Sequence, residues 1–298
     1  MKWQGRRQSS NVDDQRGRSG SGKGIGGLSP MLLGSLVRIL FSKTGLIIVG
    51  LFLVFSFVTG TNPLSFLGDF LGSNNQTVSS EPYRGTEEEN GEADFGATVL
   101  ASTEDVWNTI LDGYREPTLV LFTGSVASAC GSASSATGPF YCPGDERLYL
   151  DLSFFQDMER QMNAPGDFAR AYVIAHEVGH HVQKLMGITA KVDRLRGQLS
   201  EREFNRYSVR LELQADFFAS VWANRSQSMA QMMEEGDLEE ALNAANAIGD
   251  DRLQRRSTGR VVPDSFTHGT SEQRIRWFKK GFETGDISQG DTFNAKSL

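Results

Sequence analysis

The chain has 298 residues, of which 39% are hydrophobic and 22% charged, with 32 glycines and only eight prolines. That composition excludes a collagen-like chain, a coiled coil and a wholly disordered protein. Two cysteines exclude a four-cysteine zinc site and a dense disulfide scaffold, and a net charge of −7 argues against a nucleic-acid partner.

The charge is unevenly divided. Residues 1–43 hold eight Lys or Arg against Asp13 and Asp14, a balance of +6, so the remainder carries −13. Residues 1–43 therefore read as a basic cytoplasmic tail. Within it, Gly22–Gly27 matches G-x-G-x-x-G, and Gly17–Gly24 falls one residue short of a phosphate-binding loop. Neither follows a predicted strand, so both read as flexible tail. From Thr44 to Gly68 no residue is charged, and Leu46–Val58 is almost continuously apolar. With its uncharged flanks this run suits a bilayer span of about 20 residues. A buried core helix or a cleaved signal peptide is the alternative, but the basic region is long and no Ala-x-Ala site follows. Residues 44–68 are thus predicted to be a signal anchor that meets membrane lipid. The positive charges before it keep the N-terminus inside and put the body in the periplasm or outside the cell.

Residues 69–92 are polar and acidic and read as a linker. The folded domain is expected over 93–298, long enough to bury its own core. Thr103-Glu104-Asp105 looks like a helix start, with Val106, Trp107, Ile110 and Leu111 behind it at helical spacing. Thr118–Phe122 and Arg147–Leu152 read as strands. Helices are expected over 154–162, 168–186, 201–223, 237–248 and 271–282. Helix dominates a small sheet, so the fold class is α+β.

Three of the four histidines fall in His176-Glu177-Val178-Gly179-His180-His181. On a helix, His176 and His180 share a face and can grip one cation, zinc by preference for imidazole. Glu177 lies beside them, placed to take a proton from a metal-bound water. Gly179 in mid-helix costs about 1 kcal/mol against Ala, which signals close packing or a demand of the site. The bland alternative is a buried helix with satisfied core histidines. Downstream, Glu212 and Asp216 are again four apart, opposite an apolar stripe of Leu211, Ala215, Phe218 and Trp222. Alone they would read as a solvated face. Beside H-E-x-x-H, Glu212 can complete the ligand set for one Zn²⁺, and Asp216 can fix the tautomer of a ligand histidine.

This pairing resembles the gluzincin metallopeptidases, with H-E-x-x-H followed by a helix carrying E-x-x-x-D. Gly138–Pro143, Tyr172–Lys184 and Val262–Thr270, with the opening Trp3-Gln4-Gly5-Arg6-Arg7, resemble more closely the bacterial neutral zinc metallopeptidase family of the YpfJ type. The resemblance covers essentially the whole chain. It implies a bacterial protein, a zincin-like fold and peptidase chemistry, and no particular substrate. Family members often carry Cys at the positions of Phe217 and Gly290. The disulfide those cysteines would form is absent here, which implies a C-terminal tail less tied down.

Cys130 and Cys142 frame a small polar loop, and in an exported domain they are expected to pair, for about 3 kcal/mol of stabilisation. The strand near Leu148–Leu152 is the expected peptide-binding edge, since zincins bind extended substrate by strand addition. His181 points about 100° away from the metal face and reads as surface or support, not as a ligand. His268 lies in a polar segment, and in related gluzincins a later His or Tyr serves the oxyanion. A loop histidine or a capping contact is the alternative. Taken together, the sequence predicts a membrane-anchored zinc endopeptidase acting on peptide or protein, with Glu177 and His268 catalytic. The rivals are an envelope binding or scaffold protein of the same fold and a zinc amidase acting on cell-wall peptide.

Overall fold

The apolar run Leu119–Phe122 is buried along its whole length, as a strand covered on both faces must be. It belongs to β2 (Thr118–Phe122) of a four-stranded sheet. A computed structural model of the chain describes residues 1–18 and 83–298. Among them, β1 (Val12–Asp14) pairs parallel to β2, and β2 pairs parallel to β6 (Arg147–Asp151). On the far side of β6, β5 (Phe140–Cys142) runs antiparallel, with Tyr141 opposite Leu148. A small hairpin, β3 (Ser125–Ser128) with β4 (Gly131–Ser134), precedes it. The order β1-β2-β6-β5 corrects the expected peptide edge. The Leu148–Leu152 segment belongs to a strand paired on both sides, so it has no free edge. The edges are β1 and β5, and β5 is the one that meets the H-E-x-x-H helix.

Eight α-helices surround the sheet among the described residues: α1 (Glu87–Ile110), α2 (Ser153–Arg160), α3 (Asp167–Leu185), α4 (Ile188–Asp193), α5 (Glu201–Ala230), α6 (Asp237–Ala247), α7 (Asp250–Thr258) and α8 (Ser271–Thr284). The architecture is helix-dominated α+β, as expected. The helix expected near Thr103 begins 16 residues earlier. Thr86 caps it, accepting from the Glu89 N–H at 3.2 Å while Glu89 accepts from the Thr86 N–H at 2.7 Å. This capping box, with three acidic residues in the first turn, turns the acidic end of the expected linker into a helix start. Ser200 with Glu203 and Thr270 with Gln273 do the same for α5 and α8.

The long helix α5 packs against both α3 and α8. Two glycines permit the close approach. A Cβ at Gly179 of α3 would lie 2.9 Å from the Ala215 carbonyl oxygen, and one at Gly281 of α8 would lie 2.4 Å from that of Phe217. Gly179 thus answers to packing, one of the two demands its position signalled. Trp107 and Phe218 meet edge-on, and Phe168 stacks on Trp222, so aromatic pairs from α1, α3 and α5 form the core.

The first 18 residues are part of this unit, which corrects the reading of residues 1–43 as a tail apart from the body. The Met1 amino group reaches Asp167 at 2.6 Å and Asp237 at 3.3 Å. Arg7, Ser9 and Asn11 all bond the buried Glu104 carboxylate of α1. Trp3 packs edge-on against Phe95. The 44–68 segment and both glycine motifs past Arg18 lie outside the described residues. No helix among the described residues is long and apolar enough to cross a membrane.

Cys130 and Cys142 are paired, with their Cα atoms 5.8 Å apart. Phe217 lies against Gly290, where an added Cβ would meet its ring at 2.7 Å. The C-terminal tail has no second disulfide but is tied to α5 by hydrogen bonds. Gln214 donates to the Gly290 carbonyl at 2.7 Å and Thr292 donates to that of Arg210 at 2.6 Å.

Candidate metal centre

Helix α3 carries His176 and His180 one turn apart, and α5 lays Glu212 across them. His176 Nε2 lies 3.2 Å from Glu212 Oε2, and His180 Nε2 lies 3.5 Å from Glu212 Oε1. One donor atom from each of the three falls within 4.8 Å of the others. Two imidazoles and a carboxylate are the donor set of a catalytic zinc site, which leaves a position for water.

The outward nitrogens are engaged too. His176 Nδ1 lies 2.8 Å from Asp216 Oδ1, and a carboxylate only accepts, so Nδ1 carries a hydrogen and Nε2 is the nitrogen left to face a cation that would replace its proton. Gln183 Nε2 donates to the Leu211 carbonyl at 2.6 Å, which leaves its Oε1 for His180 Nδ1 at 2.9 Å. Each candidate ligand histidine therefore has a partner that fixes its tautomer. Asp216 is fully buried. It takes two bonds from Arg274, both at 2.8 Å, and one from the Tyr172 hydroxyl at 2.5 Å.

The electrostatics follow this layout. Burial pushes the Asp216 carboxyl up, but Arg274 and His176 outweigh it and hold it at about 2. Burial lowers both ligand imidazoles; Asp216 outweighs it at His176, which is pushed up to about 10, and Glu212 at His180, which is also raised. Burial raises Glu212, yet the two imidazoles hold it well below the ordinary carboxylate range. The field among the three donors thus favours a positive charge, and the set fits a divalent cation. Glu177 is different: burial raises its carboxyl, with Glu212 adding to the rise and the two imidazoles opposing it. That is the direction a proton-transfer group near neutral pH needs.

These residues floor a cleft of about 880 Å³ that Tyr141, Phe154, Val173 and Leu253 also line. His268 reaches the same cleft. Its Nδ1 lies 3.2 Å from Asp250 Oδ1, and its backbone N–H donates to Asp250 Oδ2 at 2.6 Å. Nε2 has no partner among the described residues. The polar segment is therefore both anchored and open to the cleft. His181, expected at the surface or in support, is fully buried and takes no place among the three donors. A second acidic group, Asp167, Asp237 and Glu240, receives the Met1 amino group on two of its members.

The structure brings His176, Glu177, His180, Glu212, Asp216 and His268 together and adds Gln183, Arg274, Tyr172 and Asp250, while Cys130 and Cys142 pair with each other outside this group. Arg274 left a trace in the sequence. It falls on the buried stripe of α8 with Trp277, Phe278 and Gly281, and a charge on an apolar stripe demands a partner. Gln183 sits one turn after His180. Asp250 left no trace, because its link to His268 spans 18 residues and joins the start of α7 to the polar segment beyond that helix, with no helical or strand period between the two.

Residues 1–293 match the protein family described as "Putative neutral zinc metallopeptidase". The chain belongs to this family. It is 48% identical to YpfJ of Escherichia coli K12 over 297 residues, 98% of this chain and 99% of YpfJ. It is 43% identical to Rv2575 of Mycobacterium tuberculosis H37Rv over 207 residues, 66% of this chain and 69% of the relative. No solved structure matches the chain significantly. Membership in the zinc family agrees with the donor set.

Proposed function

We propose that the protein is a zinc-dependent endopeptidase with a zincin-like catalytic domain, hydrolysing bonds within extended peptide segments. The observation that carries this is one arrangement: a raised carboxyl, Glu177, beside the His176–His180–Glu212 cluster, in an open cleft next to the edge strand β5. His176, His180 and Glu212 would hold one zinc ion. Bound zinc supplies a Lewis acid that polarises a carbonyl and makes water a nucleophile near neutral pH. Glu177 accepts a proton from the attacking water and passes one to the leaving nitrogen as the C–N bond breaks. β5 has no strand on its outer side among the described residues, so a substrate strand can add there in place of the edge first expected. His268, anchored through Nδ1, donates from Nε2 to the carbonyl oxygen as it gains charge. Hydrolysis of an unstructured peptide library by the zinc-loaded protein is the test. Cuts at internal bonds are expected. A loaded protein that cuts only cell-wall peptide would make it an amidase, and one that cuts nothing would leave the cleft a binding role.

The part given to His268 has its own signature. His268→Ala should lower kcat by about 10²–10³ with zinc content unchanged. Asp250 holds His268 above its ordinary value of 6.5. The charged donor is therefore fully present below 6.5 and is lost as the pH rises through the raised value. Asp250→Asn removes that support, so the alkaline limb of kcat/KM should move toward acid. A limb that stays in place would show that His268 does not titrate in the reaction.

A further inference from the structure

His181 follows the ligand His180 on α3 and is 0% exposed. Its Nε2 lies 2.5 Å from the Arg115 carbonyl oxygen. A carbonyl only accepts, so Nε2 carries the hydrogen, and the neutral ring offers the Nδ1 lone pair to the Tyr141 hydroxyl at 2.9 Å. Tyr114 and Tyr141 close edge-on around the imidazole at 5.7 and 5.4 Å. Tyr141 is the middle residue of β5, the edge strand at the cleft. One turn further along α3, Lys184 donates to the Pro143 carbonyl at 2.6 Å and pairs with Glu146 at 3.0 Å. The same helix thus carries two of the three metal donors and grips the edge strand by its side chains, and β5 has no strand on its outer side among the described residues. We propose that His181 is a positioning residue, which through Tyr141 sets β5 at the distance from Glu177 and the three donors that an extended peptide requires.

This rests on the peptidase reading, and the test separates the two. Binding of a fluorescent unstructured decapeptide is measured in a Glu177→Gln background, with zinc content beside it, and KM and kcat are measured in the active protein. Tyr141→Phe removes only a hydroxyl and keeps the fold. It should weaken Kd and raise KM about tenfold, the size of one lost hydrogen bond, with kcat less affected and zinc unchanged. His181→Ala should do the same, the double variant should add nothing further, and His181→Gln, which keeps a donor and an acceptor, should restore binding. Wild-type binding by Tyr141→Phe, or additive losses, would overturn the clamp while leaving hydrolysis intact. A parent protein that neither binds nor cuts any peptide would overturn the peptidase reading, and the clamp with it.

Residues 1–18 share a sheet and a core with residues 83–298, through β1 on β2, Met1 on Asp167 and Arg7 on Glu104. One crossing of a bilayer, as the 44–68 run first suggests, would part them by the roughly 30 Å hydrocarbon core. We infer that the N-terminal strand and the metal centre occupy one compartment. Ser10 and Lys296 are both exposed, and both native cysteines are paired. Ser10→Cys and Lys296→Cys can therefore be probed separately in whole cells with a membrane-impermeant maleimide, against permeabilised controls. Both should label, or both should be protected. One labelled and one protected would restore the single crossing and overturn the inference.

Discussion

Glu177→Gln is expected to lower kcat by about 10²–10⁴, the usual worth of a positioned general base, while the protein keeps one zinc per chain. The substitution is nearly isosteric, and Glu177 is not among the three clustered donors, so fold and metal should both survive. What disappears is an oxygen that can take a proton. Burial raises this carboxyl, and an amide in its place has no proton affinity in the useful range. Stopped peptide hydrolysis with unchanged zinc is therefore the expected pair of results. A variant that cleaves at near the parent rate would remove Glu177 from the mechanism.

Glu212→Ala is expected to empty the site. It removes one of three donors, the one that lies within 3.5 Å of both histidines. Loss of a partner behind a ligand typically costs 10–100-fold in metal affinity, so loss of the ligand should cost more than about 100-fold. Zinc should leave on dialysis and activity with it. Asp216→Asn gives a useful contrast. It strips the charge from a fully buried carboxylate that Arg274 grips twice, and leaving a buried cation unpaired costs about 3–5 kcal/mol. Asp216→Asn should therefore lower thermal stability as well as zinc affinity, whereas Glu212→Ala should lower zinc affinity with little loss of fold. Zinc content by atomic absorption and a thermal melt distinguish them. Unchanged zinc in Glu212→Ala would refute the ligand set.

These residues were legible in the sequence because a helix repeats. His176 with His180 and Glu212 with Asp216 each lie four apart, and that spacing places a pair on one face wherever the helix goes. The two long helices were equally plain, as were the strands Thr118–Phe122 and Arg147–Asp151, whose apolar runs can only be buried. Short strands carry no such period. Three residues of β1 and three of β5 owe their pairing to a neighbour more than a hundred residues away and to an adjacent turn, respectively. The substrate edge was therefore expected at Leu148–Leu152, the strand legible after the cysteine loop, although its neighbours on both sides make it an inner strand. The N-terminal segment misled through composition: its arginines look like a solvated tail until Glu104, Asp105 and Asp14 are seen to receive them. The start of α1 was legible as Thr86-x-x-Glu89 but lay inside an acidic stretch that reads as linker.

The central claim is that the three clustered donors hold the ion that makes Glu177 useful. The most direct measurement is peptide hydrolysis by the chelator-stripped protein as zinc is added back in known amounts. Activity should be absent at the start, rise in proportion to zinc and reach its plateau at one ion per chain, with Glu212→Ala flat over the same range. Hydrolysis that survives stripping, or a protein that fills with one zinc per chain and still cleaves nothing, would contradict it.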